Sequence, residues 1–157
     1  MLKLFISIVF ISQLTLACGF TPTLKNSNDQ NNSLVYYEIN PENSYIARKM
    51  LNTNLQSVDK DKAKFLTKIT VKEKESAVNV ESSGSVNEYK IEVLINFEIF
   101  DMINNVMLLA SQSRGFENYD VSSSEYTNSL IQKEALERAL IEGIQLMNII
   151  IQSKITE

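Results

Sequence analysis

The stretch that most restricts the fold is residues 89–99, where apolar and polar residues alternate with Leu94 as the one exception. A period of two is typical of a β-strand that buries one face and exposes the other, as strands of antiparallel sheets commonly do. The same period begins at Lys64, where Phe65 and Ile69 fall on one face. Strands of this kind need a second layer of structure over their apolar face.

Two further strands and a helix are predicted around this pair. Residues 34–39 form a short apolar strand, and residues 106–116 supply a fourth strand. Residues 40–42 (Asn-Pro-Glu) are typical of a helix start, with a cap, a proline in the first turn and an acidic residue beside the helix dipole. Apolar residues then recur at helical spacing and predict an amphipathic helix that contains Ile46, Met50, Leu51, Leu55 and Val58.

The last part of the chain predicts a long helix. Its start fits either of two capping boxes, Ser122 with Glu125 or Ser129 with Gln132. Gly143 lies on its apolar side, where it marks a close approach to the sheet or is a tolerated glycine that costs about 1 kcal/mol relative to alanine. The same side contains Leu136, Leu140, Met147 and Ile150.

The element order β-α-β-β-β-α predicts an α+β fold. We expect a two-layer sandwich, with a four-stranded, mostly antiparallel sheet and two helices on one of its faces. Residues 34–157 suffice for one domain of this kind.

The first 17 residues predict a signal peptide, because Lys3 is followed by a short apolar run that ends at Ala17. A membrane-spanning helix is the alternative, but it needs about 20 mostly apolar residues, and polar residues interrupt this run. Residues 14–18 (LTLAC) resemble the lipobox of bacterial lipoproteins. That resemblance implies that Cys18 is lipidated and becomes the mature N-terminus. Residues 22–33 (PTLKNSNDQNNS) are polar and rich in turn-forming residues, so residues 18–33 are predicted to be a lipidated N-terminus and a flexible tether to the domain.

The position of the cysteine favours lipidation over its alternatives. A buried apolar cysteine or a reactive free thiol would not explain why the only cysteine falls at the predicted cleavage point. Gly19 is not the aspartate that retains such lipoproteins in the inner membrane, which favours the outer membrane. Several acyl chains on Cys18 would anchor the protein stably, since each buried methylene contributes about 0.8 kcal/mol.

Composition excludes several classes of function. The chain has 15 basic and 19 acidic residues, so nonspecific nucleic-acid binding is not expected. It has no histidine and a single cysteine, so neither an intramolecular disulfide nor a Cys/His zinc cluster can form. No nucleophile elbow or phosphate-binding glycine loop is present, and the carboxylate groupings Glu73/Glu75 and Glu134/Glu137 are typical of solvated charges. We therefore expect that the protein is not an enzyme and that it binds neither a metal ion nor a cofactor.

Three segments together resemble the LPS-assembly lipoprotein family LptE. They are the mature start CGFTP, residues 89–126 as the family's central hairpin, and residues 131–152 as its final helix. The resemblance implies an outer-membrane lipoprotein that plugs and helps to assemble a β-barrel partner, LptD, for insertion of lipopolysaccharide (LPS). Alternatives are an accessory lipoprotein of a lipid-transport ABC system, another periplasmic adaptor anchored by lipid, or a carrier with an acyl-chain cavity.

Basic residues recur at even positions of the predicted strands. Lys68 and Lys72 share the polar face with Lys64 and Lys74, and Lys90 points the same way on the next strand, with Arg114 on the fourth. One interpretation is a solvated face on which lysines pair with Glu88, Glu92 or Glu98. The other is that Lys68, Lys72, Lys90 and Arg114 bind the phosphates and acidic sugars of lipopolysaccharide.

Overall fold

Four strands form one sheet in the order β1-β2-β3-β4 in the computed structural model, which describes residues 34–156. β1 (Val35–Ile39) is parallel to β2 (Phe65–Val80), whereas β2, β3 (Val86–Asp101) and β4 (Val106–Asp120) are antiparallel. The helices are α1 (Tyr45–Asn54) and α2 (Glu125–Ile155), with a 3-10 turn at Lys60–Lys62. The predicted α+β fold and its mostly antiparallel sheet are confirmed. The leader, Cys18 and the tether lie outside the described residues.

The register defines the two ends of the sheet. Val35 lies opposite Phe65, Phe65 opposite Asp101, and Asp101 opposite Val106. This row lies at one end of the sheet, and the chain joins the domain immediately before it at Leu34. We call it the tether end. β1 pairs only with residues 65–69 of β2, so residues 71–80 of β2 form an edge of the sheet.

The core lies between the helices and one face of the sheet. The predicted alternation holds along β3, where Ile91, Val93, Ile95, Phe97 and Ile99 are buried. They pack with buried residues of α1 and α2 in one apolar cluster. Full burial of a side chain of this size contributes about 1.5–3 kcal/mol. The core of the domain therefore rests mainly on β3 and the helices above it. The buried residues that the helices contribute are Ala47, Leu51, Ala135, Ala139, Leu140, Ile144, Met147 and Ile151.

The predicted start of α1 at residues 40–42 is wrong. Asn40 closes a turn instead, because its side-chain oxygen accepts a hydrogen bond from the Glu42 backbone N–H at 2.9 Å. The N-cap is Ser44, whose hydroxyl oxygen accepts from the Ala47 N–H at 3.1 Å. At the other end the helix stops before Leu55, so Val58 lies outside it. Asn40 and Ser44 each accept a hydrogen bond from a following backbone N–H, but only Ser44 starts the helix.

The start of α2 also differs from both predicted capping boxes. Ser124 is the N-cap, and its hydroxyl accepts from the Thr127 N–H at 3.4 Å. The backbone of Ser122 is instead bound at its N–H and its carbonyl by the Asn128 side chain. Ser129 lies inside the helix.

The fourth strand is longer than predicted and continues to Asp120. Its last four residues pair with residues 88–91 of β3, which extends the β3–β4 hairpin beyond Phe116. A register shift at Ile99 and Phe100 marks a bulge near the other end of the same pair.

Gly143 marks a close approach of α2 to the sheet, the first of its two predicted roles. A methyl group on Gly143 would lie 3.0 Å from Cδ1 of Ile95, and one on Gly115 would lie 1.9 Å from the carbonyl oxygen of Ala139. The buried Ser113 hydroxyl donates to the Gly143 carbonyl at 2.8 Å. Because Gly115 and Gly143 have no side chains, the backbones of α2 and β4 can pack directly against each other.

Candidate functional site

The face of the sheet opposite the helices, which we call the open face, carries the even-numbered residues of β2 and β3. Directly paired residues of neighbouring strands share a face, so the register divides this surface into rows. Nearest the tether end is an apolar row of Tyr36, Leu66, Phe100 and Met107. The rows beyond it are mostly polar and charged.

The structure places all four predicted lipopolysaccharide-binding residues on the open face. Lys68 lies opposite Glu98, and Lys72 lies in one row with Leu94 and Arg114. Lys90 lies two rows further from the tether end. Lys74 joins the set opposite Glu92, whereas Lys64 precedes the first residue of β2. The cations thus form a band along the sheet, with carboxylates among them.

Only part of the predicted charge pairing occurs. Arg114 Nε lies 3.0 Å from Glu92 Oε1, while Glu88 accepts a hydrogen bond from the Asn118 side chain at 2.9 Å. Within residues 34–156, neither Lys68 nor Lys90 forms an ion pair. Exposed pairs such as Arg114–Glu92 contribute about 0–1 kcal/mol, so separating this pair would cost little.

Two aromatic side chains that sequence analysis missed hold the lysines in place. Nζ of Lys68 lies 5.3 Å from the ring centroid of Phe100, and Nζ of Lys90 lies 4.5 Å from that of Phe116. Each ring is a diagonal neighbour of its lysine on the adjacent strand: Phe100 lies two residues from Glu98, the partner of Lys68, and Phe116 two residues from Asn118, the partner of Lys90. Such contacts contribute about 0.5–1 kcal/mol at exposed sites, and they leave the ammonium hydrogens available to an anion.

A shallow concavity of about 600 Å³ lies on the open face between Lys68 and Gln112. Asn96 and Thr70 form its centre in the register, and Glu98 lines it beside Lys68. Amide, hydroxyl, ammonium and carboxylate groups therefore converge on one surface. This arrangement suits a phosphorylated or sugar-bearing ligand that lies flat on the sheet.

Glu73 and Glu75, which the sequence predicts to be solvated charges, are exposed on the helix side of β2. Ser44 donates a hydrogen bond to Glu73, and Glu75 accepts from the Tyr119 hydroxyl and from the Gln132 side chain. Burial and the Glu75 contact raise the pKa of Tyr119. These contacts connect both helices to the sheet. Within the described part of the chain, no group of three His, Cys, Asp or Glu side chains has a geometry for a metal ion.

Comparison with known proteins shows the fold. No family model matches the sequence, and no curated protein does either. Among solved structures, a candidate lipoprotein of Caulobacter crescentus superposes with a TM-score of 0.59 at 16% identity, over 76% of this chain and 88% of that one. The minor lipoprotein of Acinetobacter baumannii gives 0.57 at 11% identity, over 74% and 88%. Rare lipoprotein B of Shewanella oneidensis gives 0.51 at 15% identity, over 76% and 97%.

These similarities are structural, since all three identities are below 20%. The domain therefore shares its α+β fold with bacterial lipoproteins of similar length. In residues 34–156, no helix is both long and apolar enough to cross a bilayer.

Proposed function

We propose that this protein is an outer-membrane lipoprotein of the LptE type, which plugs and helps to assemble the β-barrel translocon for lipopolysaccharide. One observation carries the proposal: the only cysteine of the chain ends a lipobox-like leader, ahead of a domain with the fold of solved lipoproteins. The resemblance of three segments to the LptE family supplies the specific role. Lipid on Cys18 would hold the domain at the periplasmic side of the outer membrane.

The open face is the proposed contact for the glycolipid. Lys68 and Lys90 present ammonium groups that have no carboxylate partner in the described residues, and Lys72 lies between them in the same band. A lysine ammonium is a movable point charge that suits phosphate groups at varied positions. Because Glu92 and Glu98 lie among these cations, binding depends on short contacts more than on a broad positive field.

The barrel partner would be contacted by surfaces outside the core. The far end of β2, the β3–β4 turn and the outer side of α2 expose large apolar side chains, which are typical of protein contacts. The protein would act by binding and shape, with no catalytic step and no cofactor.

Co-purification tests the proposal most directly. We expect tagged protein extracted in mild detergent to bring down one outer-membrane β-barrel protein at about equal stoichiometry. Depletion should leave that barrel misassembled and reduce lipopolysaccharide at the cell surface. Recovery of an inner-membrane ABC complex without any barrel would instead support the accessory-lipoprotein function.

A further inference from the structure

The free edge of the sheet begins part-way along β2. Before that point, its outward backbone groups bind residues of the same chain. The Asn40 N–H donates to the Ile69 carbonyl at 2.9 Å. The Val71 N–H donates to the side-chain oxygen of Asn43 at 2.9 Å. From residue 72 onward, no strand within residues 34–156 pairs with this edge. The pairing with β3 stays regular up to the register shift at Ala77, so residues 72–76 form a short, regular and open edge.

The direction of the backbone decides which of these residues an added strand can reach. In an antiparallel pair, the N–H and C=O groups of alternate residues point toward the neighbouring strand, and those between point away from it. Because the Val71 N–H points away from β3, the groups of Glu73 and Glu75 do so too, whereas those of Lys74 point toward β3. Glu73 and Glu75 therefore present N–H and C=O groups that no backbone group within residues 34–156 binds.

A cavity of about 380 Å³ opens beside the same two residues, between α1 and α2. Its apolar lining comes from Ile46 of α1, Ile91 of β3 and Leu136 of α2, and the two glutamates line it on the β2 side. A side chain of an added strand that points to the helix side would lie next to this cavity, since directly paired residues share a face.

The charge of Glu73 and Glu75 is not neutralised on the helix side. Both carboxylates accept hydrogen bonds from neutral groups only, namely a serine, a tyrosine and a glutamine. Lys133 also lines the cavity, but its ammonium lies 4.0 Å from Glu137, and within the described part of the chain neither carboxylate forms an ion pair. An arginine suits this site, because its stem can cover apolar surface while its planar guanidinium binds carboxylates.

A second copy of the chain does not suit this edge. A two-fold symmetric dimer through β2 would pair two edges antiparallel, and residues that exchange hydrogen bonds then lie directly opposite each other. Because the outward residues are odd-numbered in both copies, glutamates would lie opposite glutamates and lysines opposite lysines along residues 72–75. Like charges directly opposite are destabilising. The edge therefore favours a strand with the reverse charge on each face.

We propose that residues 72–76 bind an extended segment of another protein as an added strand, with an arginine of that segment in the cavity beside Glu73 and Glu75. Acidic residues of the segment would alternate with its arginines and lie beside Lys72 and Lys74 on the open face. Backbone hydrogen bonds then contribute to affinity, and the cavity and the alternating charges to specificity. The inference is independent of the proposed function, because it uses neither the lipid anchor nor the barrel.

Two synthetic peptides test the inference on the predicted mature chain, residues 18–157, with Cys18→Ser to prevent disulfide formation. The first is Thr-Val-Glu-Arg-Glu-Arg-Val-Thr, acetylated and amidated at its ends, which places the arginines on one face and the glutamates on the other. The matched control is Thr-Val-Glu-Glu-Arg-Arg-Val-Thr, which has the same composition and net charge but one residue of each sign on each face.

We expect the alternating peptide to bind with a Kd below about 1 mM. At saturation, hydrogen exchange of the Glu73 and Glu75 amides, measured by NMR, should slow by at least about fivefold. The Lys74 amide is the internal control, since it points toward β3 and should not change. Glu73→Gln removes a charge but keeps an acceptor for Ser44, so it should weaken binding about threefold. Added salt should weaken binding to the wild type as well.

Equal protection by the two peptides overturns the inference, because it would show that the charge pattern is not recognised. Absence of protection at Glu73 and Glu75 with the alternating peptide overturns it too, as does unchanged binding to Glu73→Gln. Protection that rises with protein concentration in the absence of peptide would identify a second copy as the occupant and also overturn it. Far-UV circular dichroism of Glu73→Gln checks that the sheet and helices are retained.

Discussion

Replacement of Gly115 by alanine should destabilise the domain severely. The added methyl carbon would lie 1.9 Å from the Ala139 carbonyl oxygen, whereas carbon and oxygen approach to about 3.3 Å in close contacts. α2 and β4 must therefore separate by about 1.4 Å at this point. Overpacking of this kind costs about 1–3 kcal/mol. The separation also breaks the buried 2.8 Å hydrogen bond from Ser113 to Gly143, which adds about 1–3 kcal/mol.

Gly143→Ala is the informative comparison, because it adds the same methyl group on the other side of the same contact. Its new carbon would meet Cδ1 of Ile95 at 3.0 Å, the far end of a side chain that can shift. Alanine also favours the helix by about 1 kcal/mol over glycine. We therefore expect Gly143→Ala to stay within about 1 kcal/mol of the wild type, and Gly115→Ala to lose about 3 kcal/mol.

Urea unfolding followed by circular dichroism measures both values under one set of conditions. The midpoint should fall strongly for Gly115→Ala, with an unchanged slope if both proteins unfold in one step. The backbone-contact argument is wrong if Gly115→Ala unfolds within about 0.5 kcal/mol of the wild type, a difference typical of neutral surface changes. It is also wrong if Gly143→Ala is the more damaging substitution.

Three further predictions concern the anchor, the open face and the β3–β4 turn. Cys18→Ser should abolish the acyl mass and the removal of residues 1–17, and an unchanged intact mass would reject lipidation. Joint replacement of Lys68, Lys72 and Lys90 by glutamate should weaken binding of purified lipopolysaccharide, less so at high salt, while unfolding stays unchanged; equal binding would leave these lysines as a solvated surface. Hydrogen bonds from neighbouring N–H groups hold the pKa of Asp101 below its ordinary value of 3.8, so its contribution to stability is present above that pH and is lost as the pH falls through the lower, folded-state pKa. The difference in unfolding midpoint between wild type and Asp101→Asn should therefore shrink in acid, and a constant difference would contradict this.

The elements that were predicted well are those whose pattern has one physical cause. Apolar and polar residues alternate along β3 because only one face of the strand is buried under the helices. Both the position of this strand and its buried face could therefore be predicted from the sequence. The same alternation placed Lys68 and Lys90 on the open face. Their aromatic partners depend on the register between strands, which the period of one strand does not contain.

The start of α1 shows why cap chemistry alone was insufficient. Asn40 and Ser44 both have a side chain that suits an N-cap, and both accept a hydrogen bond from a following N–H. What distinguishes the two positions is Asn43, which lies between them along the chain. Its side-chain oxygen accepts a hydrogen bond from the Val71 N–H of β2 at 2.9 Å. That contact joins residues 28 positions apart, so no local pattern indicates it. The role of Gly143 was undecided for the same reason, since its partner Gly115 lies on another element.

The short length of β1 has a consequence for how copies of this domain can associate. Because β1 covers only the first five residues of β2, the remainder of that strand is an open edge on which a second copy of the chain could add by backbone hydrogen bonds. Residues 72–75 of this edge read Lys-Glu-Lys-Glu, and stacking strands would force these solvated charges into contact and out of water. The run thus opposes edge-to-edge association of two copies of the domain through β2.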